Sequence, residues 1–272
     1  MTFKGRKILA VVTGSSRSAS RGIGRETVLQ LSAIVAKGSA FLITARTATK
    51  LEELKDEVKS SAEGIDIHIF TCDAEKLNSG KILELQAAIS SLITDSKTYD
   101  ALLLVHNAGT VGNITKRGVE ISTSDDWHSY LQINFVSMVL INNSVLNIIP
   151  KRVAPVRYIL NVTSLLAIKS FPSMAQYSVG KAAREAFFRT LAVEECNLRI
   201  LNYSPGPVQT DMYNEIAKRS YDEGIRKSFQ AQTDSTEVNK RTLSPKETVE
   251  KMLSILEEDK FENGSRYDFF DS

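Results

Sequence analysis

The sequence predicts an α/β fold: a single Rossmann-type domain whose doubly wound parallel sheet has seven strands, with helices on both faces. Three observations predict it. Short β-branched runs alternate with longer amphipathic stretches along the chain. The runs are apolar without interruption, as strands buried on both faces must be. A glycine-rich turn joins the first run to the first helical stretch.

The elements follow in order. KILAVVTG (7–14) precedes a helical pattern over 24–35. AFLITA (40–45) precedes a charged, amphipathic pattern over 50–60. IDIHIFT (65–71) leads to a helix over 78–94, with Asn78 or Ser79 as its N-cap. ALLLVHNAG (101–109) leads to a long helix over 124–149, apolar on more than one side. VRYILNVTS (156–164) precedes a helix over 174–195. After LRILNYSPG (198–206), residues 211–242 are polar and weakly periodic and read as a mobile insertion. A last helix over 245–258, with Ser244 as N-cap and Pro245 at its first position, precedes SRYDFF (265–270). No repeat or linker divides the chain, so residues 1–272 read as one domain.

Composition excludes several classes. Of 272 residues, 42% are apolar and 24% charged, which suits a globular core and excludes a disordered or collagenous chain. The net charge is +2 with no dense basic run, so a nucleic-acid partner is not expected. Cys72 and Cys196 lie in or beside apolar segments and read as buried free thiols. Neither these nor the scattered His68, His106 and His128 have metal-ligand spacing, so no metal is expected. No stretch approaches the ~20 apolar residues of a membrane span, and the first apolar run, 8–12, is too short for a signal peptide. The expected location is the cytosol. The N-x-S/T sequons at Asn113, Asn142, Asn161, Asn202 and Asn263 then read as chance matches.

Thr13 and Gly14 close the first run, and Gly22-Ile23-Gly24 opens the first helix. Glycines there let backbone approach a pyrophosphate at a helix N-terminus. No Gly-Lys-Ser/Thr follows, which excludes a Walker A loop. The second run ends at Thr44-Ala45-Arg46, where an NAD site carries an acid. Arg46, with Arg17 or Arg21, suits a 2′-phosphate instead, so the cofactor reads as NADP(H); the alternative is three solvated arginines.

Tyr177 and Lys181 are four apart and share a helix face. Ser164 ends the fifth run, Asn107-Ala108-Gly109 the fourth and Pro205-Gly206-Pro207 the sixth. The carboxyl ends of parallel strands carry the ligand crevice, so these groups gather at one edge.

With these motifs the chain resembles the short-chain dehydrogenase/reductase family over nearly its whole length. The resemblance rests on Thr13-Gly14, Gly22-x-Gly24, Asn107-Ala108-Gly109, Asn134, Ser164, Tyr177-x-x-x-Lys181 and Pro205-Gly206. KAAREAFFRTLAVEE, LRILNYSPGPVQTDM and NGSRYDFFDS further resemble one branch, the sepiapterin reductases, cytosolic homodimers acting in tetrahydrobiopterin formation. That resemblance implies a pterin substrate anchored by Asp268. It implies Tyr177 as general acid, Lys181 beside it, Ser164 on the substrate oxygen, and Asn134 holding a water that passes protons to Lys181. The implied cofactor set is Gly14, Ser16, Arg17, Arg21, Gly22, Ile23, Gly24, Arg46, Asp73, Asn107, Ala108, Gly109, Tyr177, Lys181, Pro205, Gly206 and Thr210. One departure stands out: seven residues separate Gly14 from Gly22, four more than the family spacing. His106 replaces an Asn of related enzymes and is expected merely to end its strand. The apolar helices over 124–149 and 174–195 suggest a dimer. Two other readings compete: a short-chain reductase of a steroid, acyl or sugar carbonyl, and a non-catalytic NADP-binding sensor.

Overall fold

The structure is a computed structural model that describes residues 2–15, 22–93, 98–237 and 240–271. Seven strands form one wholly parallel sheet: β1 (Ile8–Thr13), β2 (Ala40–Ala45), β3 (Asp66–Thr71), β4 (Ala101–His106), β5 (Val156–Val162), β6 (Leu198–Ser204) and β7 (Arg266–Asp268). Their order is β3-β2-β1-β4-β5-β6-β7. The order reverses direction beside β1, which opens a crevice between the carboxyl ends of β1 and β4.

Alternation along each strand builds two cores. Ala10, Val12, Phe41, Ile43, Leu103 and Val105 face α1 (Ile23–Ile34), α2 (Ala48–Ser61) and α9 (Pro245–Glu258). Leu9, Val11, Leu42, Leu104, Ile159 and Ile200 face α3 (Ser79–Ser90), α5 (Ser137–Ile148) and α6 (Ala175–Glu194). Both faces of β1, β2 and β4 are buried, so their sequences are apolar except near their carboxyl ends, at Thr13, Thr44 and His106.

Several expectations are refined. The helix over 124–149 is three pieces: α4 (Ser124–Leu131), a π-helical turn (Gln132–Val136) and α5. Together, residues Ser124–Ile148 are long and apolar enough by length and composition to cross a membrane, an 18-residue window within them having a mean hydropathy of 1.3, contrary to the sequence expectation. Met138, Ile141 and Val145 of this stretch pack into the second core. Residues 211–242, expected as a mobile insertion, contain two helices. These are α7 (Asp211–Arg219), capped by Thr210, and α8 (Glu223–Asp234), capped by Asp222. Cys72 is buried as expected, but Cys196 is exposed, because it follows the end of α6 on the surface. Asn142, Asn161 and Asn202 are buried, which removes those three sequons as modification sites.

The C-terminal segment is anchored rather than frayed. Asn202, Tyr203 and Ser204 pair with Arg266, Tyr267 and Asp268. Tyr267 and Phe269 pack against the first core. The preceding helix α9 begins in a capping box, with the Ser244 side chain accepting from Glu247 N–H and Glu247 accepting from Ser244 N–H. Arg241 reaches the same carboxylate at 2.5 and 3.3 Å. Together Arg241 and the cap pull the Glu247 carboxyl down to about 2.

A depressed carboxyl stabilises the fold above its unfolded value of 4.5, and that contribution fades as pH falls toward about 2. Wild type should therefore exceed Glu247→Gln in urea midpoint near neutral pH. The gap should narrow in acid across that interval.

Candidate active site

The working edge begins with two strand ends held in contact. Thr13 Oγ1 donates to Val105 C=O at 3.1 Å and accepts from the N–H groups of Asn107 and Ala108 at 3.1 and 3.2 Å. Asn107 Nδ2 donates to the carbonyls of Thr13 and Gly14 at 3.2 and 3.0 Å. Gly14 has φ +73° and no room for a side chain: a Cβ would lie 2.8 Å from Ala108 Cα. A Cβ on Gly24 would lie 2.5 Å from Asn107 Nδ2 and 2.6 Å from Gly14 C=O. The two glycines and the asparagine thus form a tightly packed floor. Above it α1 starts at Ile23 with Gly22 as N-cap, and among the described residues no side chain caps it, a start that suits an anionic ligand.

A cleft of about 360 Å³ opens along this edge. It is lined by Gly14, Gly22, Ile23, Arg46, Asp73, Asn107, Ala108, Gly109, Tyr177, Lys181, Pro205 and Thr210. The structure thus gathers most of the expected cofactor residues at one place. Ser16, Arg17 and Arg21 lie outside the described residues. Gly24 and Gly206 support the wall from behind it, Gly206 with φ +71° and packed against Leu243 and Phe270. Asp73 also caps a short 3-10 turn by accepting from Glu75 N–H at 3.2 Å.

Tyr177 and Lys181 lie one turn apart on α6. Lys181 Nζ donates to Val162 C=O at 2.7 Å and sits 5.5 Å from the Tyr177 ring centre. Burial pushes its ammonium well below the ordinary lysine range. The Arg184 charge pushes the same way, and Glu185 opposes it. Gly180 between them leaves room for Tyr130, whose hydroxyl would lie 2.5 Å from a Cβ.

Ser164 is not part of the cleft wall itself. Its Oγ accepts from Leu166 N–H at 3.2 Å, which leaves its O–H proton to donate. Asn134 sits in the π-helical turn with its amide spent on backbone. Its Oδ1 accepts from Thr110 N–H at 2.8 Å and its Nδ2 donates to Tyr130 C=O at 3.0 Å. A Cβ on Gly109 would lie 2.7 Å from that Oδ1, which accounts for the glycine. Asp268 also stands apart from the cleft wall. Its carboxylate accepts from Arg266 Nη2 at 3.3 Å and from Phe270 N–H at 3.3 Å.

Sequence reasoning missed a buried polar row beneath this edge. His106, Asn161, Asn202 and Arg266 are successive register partners across β4, β5, β6 and β7. Asn161 Nδ2 donates to Asn202 Oδ1 at 2.8 Å, and Asn202 Nδ2 to Gly264 C=O at 2.9 Å. Arg184 of α6 donates to Asn161 Oδ1 at 2.8 Å, Ala108 C=O at 2.9 Å and His106 C=O at 2.5 Å. Burial draws the Arg184 guanidinium down to about 10, so it stays charged at neutral pH. His106 does end its strand as expected, but it also faces the cleft. Burial drives it down to about 3, and Nε2 bonds Asn142 Oδ1 at 3.2 Å. The missed signal was a strand end in NVT and NYS where neighbouring strands are apolar. Met212 and Glu215 of α7 also reach the cleft, from the segment read as a mobile insertion.

Comparison with known proteins agrees with this arrangement. The family profile described as short chain dehydrogenase matches residues 9–220. Sepiapterin reductase from Bos taurus is 32% identical over 267 residues, covering 97% of this chain and 95% of that one. Sepiapterin reductase from Xenopus tropicalis is 33% identical over 264 residues, covering 97% of each. Among solved structures, L-sorbose reductase from Gluconobacter frateurii, complexed with NADPH and L-sorbose, has a TM-score of 0.78 at 24% identity, covering 98% of this chain and 97% of that one.

Gly14→Ala should force a left-handed alanine against the Ala108 backbone. We expect a loss of about 1–3 kcal/mol in unfolding free energy, measured by urea titration. Gly5→Ala, also at positive φ but with open space around it, should cost less.

Proposed function

The chain belongs to the short-chain dehydrogenase family, and from that premise we propose that it reduces the side-chain ketones of pterins with NADPH, in the manner of a sepiapterin reductase. In this reading it serves tetrahydrobiopterin formation in the cytoplasm as a homodimer. The exposed Val136, Leu140, Val179 and Val193 on the π-helical turn, α5 and α6 support the dimer. One observation carries the pterin reading: a single guanidinium, Arg266, touches both the Ser164 carbonyl and the Asp268 carboxylate. The reacting end and a hydrogen-bonding acid are thereby close together at one edge.

The residues present fit the cofactor. The uncapped start of α1 and the side-chain-free floor at Gly14 and Gly24 suit a pyrophosphate, and exposed Arg46 suits a 2′-phosphate. Asp73 would meet the adenine edge, and Asn107 to Gly109 would flank the adjoining ribose. Lys181 would hold the nicotinamide ribose hydroxyls. Pro205, Gly206 and Thr210 would border the nicotinamide. Bound NADPH supplies the hydride.

The chain's own groups manage the proton and the charge. Tyr177 donates its phenolic proton to the carbonyl oxygen as that oxygen becomes an alkoxide. Its O–H, with an ordinary pKa near ~10, needs a neighbouring cation to release that proton near neutrality. Lys181 and Arg184 are the cations available on the same helix. The depressed Lys181 ammonium is also a ready proton source for restoring Tyr177. Ser164 donates to the same oxygen and stabilises its developing charge. Asn134 braces the Gly109–Thr110 loop and so acts as a positioning residue, its amide being committed to backbone. A water held at this turn would pass protons to Lys181. At Asp268, the carboxylate accepts from a ring N–H and an exocyclic amine of the pterin.

A second reading keeps the chemistry and changes the substrate to another carbonyl compound. It is favoured by the position of Asp268 outside the cleft wall. A non-catalytic sensor has no need of the combined Ser164, Tyr177 and Lys181 set.

Tyr177→Phe should lower kcat by about 10²–10⁴-fold while the variant still binds NADPH by fluorescence titration. Full activity would refute the acid role. A substrate panel following NADPH consumption decides the rest: turnover of simple ketones without turnover of sepiapterin rejects the pterin reading. In the same assay Arg46→Ala should raise KM for NADPH by about tenfold or more and move that for NADH far less.

A further inference from the structure

We propose that Arg266 is a positioning residue that sets the distance and orientation between the Asp268 carboxylate and the Ser164 end of β5, and so makes the site selective for substrates that carry paired N–H donors over simple carbonyl compounds. The inference rests on the pterin reading above and deepens it.

Arg266 begins β7, opposite Asn202 of β6. Its side chain crosses β6 to the end of β5. There Nη1 donates to Ser164 C=O at 2.6 Å and to Glu185 Oε1 at 2.9 Å. The other terminal nitrogen, Nη2, donates back to Asp268 Oδ2 at 3.3 Å. Glu185 is the buried end of this chain, with its carboxylate side chain 2% exposed. The same Oε1 accepts from Thr163 Oγ1 at 2.6 Å. Glu185 follows Lys181 by one helical turn, so the anchor of Arg266 is the helix that carries the proton donor.

A guanidinium is planar, and its donors hold set angles to one another. Once Nη1 is committed to Ser164 and Glu185, the direction of Nη2 is determined, and Asp268 follows it. The second oxygen of Asp268 is steadied by Phe270 N–H. The carboxylate therefore meets a substrate already aligned, without having to be ordered by it. A short diketone has no N–H donors for Asp268 and gains nothing from the alignment. A substrate with a carbonyl at one end and paired N–H donors at the other gains all of it. The carboxylate is also partnered by a positive charge, so it favours neutral donors over a cationic group.

The test uses the full-length enzyme with sepiapterin and with a small diketone. Arg266→Met should raise KM for sepiapterin by about tenfold or more, as expected for losing a charge-assisted contact, with a much smaller change in kcat. The rise for the diketone should be several-fold smaller. Arg266→Lys should recover part of the loss, because an ammonium can pair Asp268 without holding all three acceptors in one plane. Arg266→Met leaves the buried Glu185 with only the more distant Arg189, at 3.5 Å, which can impair folding. The double variant Glu185→Gln/Arg266→Met removes both charges and should show the same KM pattern. Equal losses on both substrates, or no loss on sepiapterin, would overturn the positioning role.

Asp268→Asn, run in parallel, separates the two proposals. If it raises KM for sepiapterin and Arg266→Met does not, only the role of Arg266 fails. If it leaves sepiapterin untouched, the pterin anchor fails and the role of Arg266 fails with it. If both hold, adding Arg266→Met to Asp268→Asn should cost little more than Asp268→Asn alone.

Discussion

Arg184 lies wholly inside the protein, and its hydrogen bonds go to neutral oxygens. A buried guanidinium is costly unless its donors are met, and here each of its three nitrogens reaches an acceptor. Two of these acceptors are carbonyls at and just past the end of β4, and the third is a side chain of β5. The charge therefore binds the cofactor edge of the sheet to the helix that carries Tyr177 and Lys181. The rest of the polar row continues from it. Asn161 passes its amide to Asn202, and Asn202 passes its own to the turn before β7. Arg184, Asn161 and Asn202 are thus linked in turn, so removing one would leave its neighbour with an unmet partner.

This arrangement explains why the site can be both rigid and split in two. The cofactor half is built by packing. Thr13, Gly14, Gly24 and Asn107 meet at distances that leave no room for an added methyl group. The end proposed above to take the substrate is held by charge, through Glu185, Arg266 and Asp268. Helix α6 belongs to both halves, because Lys181, Arg184 and Glu185 occupy a single turn of it.

Much of the fold was legible because burial on both faces leaves a plain mark. ILAVVT, AFLITA and ALLLVH have no polar side to hide. Tyr177, Lys181 and the strand-end motifs were legible because their spacing has chemical meaning. Arg184 and Arg266 were not, since a charge on an amphipathic helix or near a terminus reads as solvated until its partners are known. Those partners come from strands far away in sequence. The π-helical turn left no trace either: one turn of wider winding does not disturb an apolar stretch. α7 and α8 were hidden for another reason. Each is short, and only one face of each meets the protein, so the pattern over 211–242 is too polar to read as helix. The lengthened glycine loop, 15–21, lies mostly outside the described residues.

The place of β7 in the chain has a consequence for the order in which the protein comes into being. Synthesis delivers β1 first and β7 last, and the sheet can assemble from β3 to β6 before the final strand exists. The floor, the cleft and the Tyr177–Lys181 pair are all encoded before that point. In the pterin reading proposed above, Arg266 and Asp268 are therefore made after the floor, the cleft and the Tyr177–Lys181 pair.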